Sequence, residues 1–115
     1  MNITSETTGD LQILTVHAQR IDAVAAIQFK DTVRELTADQ DTAVVLDLSQ
    51  VDFIDSSGLG AIVASMKQLG KERPLHLAGL TPIVSKVFAL TRMQRVFKIF
   101  KSLHEAVQID EAKSA

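Results

Sequence analysis

The chain has 115 residues, 46% hydrophobic and 23% charged, which suits one compact domain with a core of its own. Lys plus Arg total 12 against 14 Asp plus Glu, a formal charge of -2, so polyanion binding is not expected as a main activity. The absence of cysteine excludes disulfides, thiolate metal sites and cysteine nucleophiles, and His17, His76 and His104 are too scattered to form a ligand pair.

In chain order, Ile3 and the run Leu11, Ile13, Leu14, Val16 flank Gly9-Asp10 and predict a β-hairpin. Asp22 stands at an N-cap position ahead of a helix over Ala23 to Thr37, whose inner face carries Ala26, Phe29, Val33 and Leu36. Ala43 to Leu48 is a short apolar run rich in β-branched residues and predicts a strand covered on both faces. Asp55 to Gly60, DSSGLG, opens a second helix with Leu59, Ile62, Val63, Met66 and Leu69 on its apolar face and Gly70 as its stop. Leu75 to Ala78 reads as a strand. Thr81-Pro82 then starts a helix with Val84, Val87, Phe88 and Thr91 inward. Val96 to Phe100 predicts a last strand, and Ser102 caps a final helix through Leu103, Ala106 and Val107.

The expected order is ββαβαβαβα, an α/β domain over residues 1–110 with a central mixed sheet of four to five strands packed by about four helices. Glu111 to Ala115 reads as a loose tail. No apolar run approaches the roughly 18 residues that span a bilayer. The polar start MNITSETTGD lacks the basic and apolar regions of a signal peptide, so a cytoplasmic protein without membrane insertion is expected.

Val44 to Val63, VVLDLSQVDFIDSSGLGAIV, carries the chemistry. It runs strand, loop, helix, with two serines at the helix start. Asp55 or Ser56 can cap the first turn, and capping is the ordinary use of such residues. One cap needs one residue, yet Asp55, Ser56 and Ser57 lie side by side between the strand and two glycines, Gly58 and Gly60, which keep the turn free of side chains. Unpaired amides and partial positive charge at a helix start would let the fold tolerate a phosphate on Ser56 or Ser57.

Enzyme motifs are missing. No Gly lies two before either serine, as a nucleophile elbow requires. Val63 stands where a dinucleotide fingerprint places its third glycine, and there is no Gly-Lys-Ser/Thr. A receiver domain wants paired acids after its first strand, where this chain has Val16-His17-Ala18. Asp47, Asp52 and Asp55 could be imagined as a metal cluster, but no catalysis, metal or cofactor is expected. Seven acidic residues and one Arg fall between Asp31 and Asp55, and five basic residues with no acid between Thr81 and Lys101. These read as solvated faces, or as an acidic rim that orients a partner near Ser56.

Asp47-Leu48 followed by Asp55-Ser56-Ser57-Gly58-Leu59-Gly60 resembles the signature of the STAS domain, in particular the stand-alone anti-sigma-factor antagonists of bacteria. Element order and length agree across nearly the whole chain. The resemblance implies the STAS fold and a non-enzymatic partner switch. In such a switch the unphosphorylated form binds an anti-sigma factor that is also a GHKL-type serine kinase and so releases its client. Phosphorylation at Ser56 ends the binding, and a PP2C-type serine phosphatase resets it. It places Ser56 as the phosphorylation site, with Asp22, Asp55, Ser56, Ser57, Gly58, Leu59 and Gly60 as partner-binding residues. Two positions depart from the pattern: Gln19-Arg20 replaces Gly-Glu before the first helix, and Arg92-Met93 replaces a Gly after the third. The alternative is a STAS accessory subunit of a membrane lipid or solute transporter, which would not need a phosphorylated Ser56.

Overall fold

The computed structural model describes residues 1–114. The chain opens with strands β1 (Ile3–Thr8) and β2 (Leu11–Val16), a two-residue strand β3 (Arg20–Ile21) and helix α1 (Ala23–Thr37). Strands β4 (Ala43–Asp47) and β5 (Phe53–Ile54) lead to helix α2 (Ser56–Leu69), then β6 (Leu75–Ala78) and α3 (Pro82–Leu90). A 3-10 turn (Met93–Arg95), strand β7 (Ile99–Phe100) and helix α4 (Leu103–Ser114) complete it.

The main sheet has five strands in the order β1-β2-β4-β6-β7. β1 and β2 form the expected antiparallel hairpin, turning at Gly9, whose φ of 57° is open to a residue without Cβ. The remaining pairs are parallel, which gives the mixed sheet expected of an α/β domain. β3 and β5 pair in parallel as a separate two-stranded ribbon.

Alternation along the strands divides the core in two. Leu14, Val16, Val44, Leu46, Leu75 and Leu77 point to one face, where Phe29 and Val33 of α1, Ile62 of α2 and Val84 and Phe88 of α3 bury them. Leu11, Ile13, Val45, Ala78 and Phe100 point to the other, under Ala106, Leu103 and Val107 of α4. β4 is therefore covered on both faces. Each such aliphatic or aromatic side chain contributes about 1.5–3 kcal/mol by leaving water.

At the edge where the parallel strands begin, a polar clasp replaces apolar packing. Gln12 is fully buried; its amide nitrogen donates to the Leu36 carbonyl at 2.8 Å and to Ser5 Oγ at 2.9 Å. Arg73 reaches the Thr37 and Thr42 carbonyls at 2.8 and 2.9 Å and, more weakly, Gln12 Oε1 at 3.5 Å. The C-terminal end of α1 is thereby tied to β2, to the entry of β4 and to the loop after α2.

Two expectations are corrected. The last strand covers only Ile99–Phe100, because the amides of Val96 and Phe97 both return to the Met93 carbonyl, at 2.9 and 3.0 Å, and finish a turn. The tail expected from Glu111 is helical through Ser114, since Glu111, Ala112 and Lys113 favour helix and no glycine or proline interrupts them. Ala115 lies outside the described residues. His17 sits one residue beyond β2, where its ring nitrogens meet Thr4 Oγ1 and Gln50 Nε2.

Arg92 follows α3 with φ 61° and ψ 24°, a left-handed conformation that glycine adopts without a Cβ clash. Arg92→Gly should therefore raise the unfolding free energy by about 0.5–1 kcal/mol, read as a higher urea midpoint at unchanged slope.

Candidate functional site

Parallel strands send each following helix back from the same edge of the sheet, so the starts of α1, α2 and α3 gather at the carboxyl ends of the strands. The short ribbon brings two of these starts into register. Arg20 pairs with Phe53 and Ile21 with Ile54, and the next residue on each strand is an aspartate that caps a helix. Asp22 and Asp55 have nearly the same backbone, φ -106° with ψ -172° and -175°.

Asp22 Oδ1 accepts from the Ala25 amide at 3.1 Å, the ordinary cap of α1. Asp55 does more. Its Oδ1 accepts from the Gly58 amide of its own helix at 2.9 Å, and its Oδ2 accepts from the Ala23 amide of α1 at 3.1 Å. One carboxylate thus holds both helix starts, with both oxygens engaged.

Gly58 permits this closeness. A Cβ there would lie 1.9 Å from the Ile21 carbonyl oxygen and 2.8 Å from its carbon. Its role is an inward one, the close approach of α2 to β3, and not the open turn expected of it. Gly60 meets that expectation, since a Cβ there would meet nothing within 4 Å.

Because Asp55 caps, neither serine is needed for it. Ser56 and Ser57 are both exposed on the first turn of α2, and among the described residues neither hydroxyl has a hydrogen-bond partner in the protein. Of the other residues expected to meet a partner, Asp22 and Asp55 are half-buried and Gly60 is exposed. Gly58 is buried, and Leu59 packs partly buried against the core, so neither offers a free side chain. Asp47 turns elsewhere: its Oδ1 accepts from the Ser49 amide at 3.0 Å and shapes the loop after β4.

Arg20, one of the two departures, stacks its guanidinium 4.1 Å from the Phe53 ring centroid and approaches Asp22 Oδ2 at 3.5 Å. The Ala25 amide chiefly, and Arg20 after it, hold the Asp22 carboxyl below its ordinary 3.8, against the opposing effect of burial.

Two residues escaped the sequence reading. Val24 and Ile27 on α1 are 84% and 64% exposed, an apolar pair one turn apart beside the caps. Their signal was present, since both fall outside the Ala26, Phe29, Val33 stripe and so face away from the core. Among the described residues no helix is long and apolar enough to cross a membrane.

The chain is similar to known proteins in sequence and in fold. The family model described as STAS domain matches residues 2–106. The anti-sigma-F factor antagonist RsfB of Mycobacterium tuberculosis is 29% identical over 87 residues, 76% of this chain and 71% of its own. A STAS-domain containing protein of Pseudomonas aeruginosa is 34% identical over 101 residues, 86% of this chain and 99% of its own. The crystal structure of an anti-sigma factor antagonist from Mycobacterium paratuberculosis superposes with a TM-score of 0.83 at 26% identity, over 96% of this chain and 93% of its own.

Gly58→Ala should destabilise the fold by about 3 kcal/mol or more, because the obstacle is backbone, whereas Gly60→Ala should stabilise it by about 0.5–1 kcal/mol; chemical denaturation of the two variants side by side checks both. Asp22 has a folded pKa below its unfolded one, so its contribution is present above pH 3.8 and lost as pH falls through the folded value. The stability difference between wild type and Asp22→Asn, measured by denaturation across the acid range, should therefore shrink below that pH.

Proposed function

The chain belongs to the STAS domain family, and from that premise we propose that it is an anti-sigma-factor antagonist of the cytoplasm, switched by phosphorylation at Ser56. In its unphosphorylated form it binds an anti-sigma factor that is a serine kinase of the GHKL type, and the client of that factor is set free. The kinase brings its own ATP and Mg²⁺ and transfers a phosphoryl group to Ser56 Oγ; a PP2C-type phosphatase removes it. No group of this chain need act as acid, base or nucleophile beyond offering the hydroxyl.

The observation that carries this reading is the unspent Ser56 hydroxyl. It stands exposed on the first turn of a helix whose cap is already made by Asp55. A phosphate there adds about -1.5 to -2 of charge. The helix start favours that charge within the domain, so the fold need not rearrange. A docked partner meets it differently, as bulk and as negative charge beside Asp22 and Asp55. The exposed pair Val24 and Ile27 on the adjoining helix supplies apolar area for the unphosphorylated complex.

Binding of the kinase to Ser56→Ala and Ser56→Asp, measured by titration calorimetry, tests the switch. Ser56→Ala should bind as wild type does and Ser56→Asp about tenfold or more weakly. Equal affinity of the two variants would overturn the proposal.

A further inference from the structure

The last turn of α2 and the loop after it meet the start of β6 and the segment entering β7 around a groove of about 610 Å³. It lies at the opposite end of α2 from Ser56, and 14 residues of helix separate the two by about 20 Å. Met66, Leu75 and Val96 give the groove aliphatic walls. Lys67, Lys71 and Lys98 line it as well, and among the described residues no carboxylate does.

Lysines near the C-terminal end of a helix ordinarily offset its dipole, which accounts for Lys67 and Lys71. It does not account for Lys98, which comes from a different part of the chain and holds its ammonium 5.2 Å from the Phe100 ring centroid. Nor does it account for Val96, left 45% exposed on the wall by the turn that shortens β7. Three lysines from two segments thus line one trough, of a size that suits a small ligand.

We propose that this groove binds an amphiphilic anion, with an aliphatic chain along Met66, Leu75 and Val96 and a carboxylate head among Lys67, Lys71 and Lys98. The chain contributes burial, and the head is matched by a lining of one sign. This site is independent of the switch at Ser56 and stands or falls without it.

Titration of the whole chain with decanoate, followed by amide chemical shifts, tests the groove. Saturable shifts are expected at Met66, Leu75 and Val96, with the signals of Ser56 and Ser57 unmoved. Decanol keeps the chain without the charge, and inorganic phosphate keeps charge without the chain; each should bind about tenfold or more weakly than decanoate. The combined variant Lys67→Gln, Lys71→Gln, Lys98→Gln alters only exposed side chains and should weaken decanoate about tenfold. Val96→Glu, which sets a carboxylate on the open wall, should do the same. No saturable binding below about 1 mM, undiminished binding by both variants, or shifts centred elsewhere would each overturn the proposal. So would binding to anionic phospholipid vesicles without binding of free decanoate, which would assign the lysines to a membrane surface.

Discussion

Both oxygens of one carboxylate, Asp55, are committed to backbone amides on two different helices, Gly58 on α2 and Ala23 on α1. Charge-assisted bonds of this kind are about twice as strong as neutral ones. This one also fixes a relation that packing alone leaves loose, the position of one helix start against the other. The ribbon of β3 and β5 delivers Asp22 and Asp55 to neighbouring places, and Gly58 lets α2 press onto the Ile21 carbonyl. Remove any of the three and the others lose their purpose. What the arrangement leaves over is the side chain after the cap, Ser56, which the fold does not use.

This division of labour follows from parallel pairing. Three parallel strands return their helices from one edge, so amide-rich helix starts collect there and helix ends collect at the other. The first edge holds two aspartates, two exposed serines and an exposed apolar pair on α1. The second holds the Gln12–Arg73 clasp. The groove walled by Met66, Leu75 and Val96 opens beside it. The two edges differ in chemistry because backbone donors face outward at one and backbone acceptors at the other.

Much of this was legible from residues alone, and what was missed was missed for definite reasons. Helix starts at Asp22 and Thr81-Pro82 were readable because capping and proline chemistry are local. The double coverage of β4 was readable from a continuous run, VVL, that alternation would have broken. The β3–β5 ribbon was not readable: two residues carry no period, and Arg20-Ile21 find Phe53-Ile54 only through a pairing 33 positions apart. For the same reason Gly58 and Gly60 looked alike in the sequence, though one abuts a carbonyl of a distant strand and the other faces open space. Val96 and Phe97 have strand propensity, but the left-handed Arg92 and the turn after it claim their amides. Asp55 and Ser56 were both readable as caps, and it is Asp55 that takes the Gly58 amide. That it caps two helices depends on the ribbon and could not be seen without it.

The clasp around Arg73 has a consequence of its own. A planar guanidinium serves three acceptors in different directions, on the end of α1, the entry of β4 and the buried amide of Gln12. Lysine has three donors but on one nitrogen at the end of a flexible stem, so it could not reach acceptors spread over three elements as the guanidinium fork does. The molecule is thus clamped like a hinge plate at its rear, while its front bears hydroxyls with nothing to hold. Helix α1 is nonetheless tied at both ends, Ala23 to the Asp55 carboxylate in front and Thr37 to Arg73 behind, so it should fray less than an untied helix, read as slow amide exchange at either end.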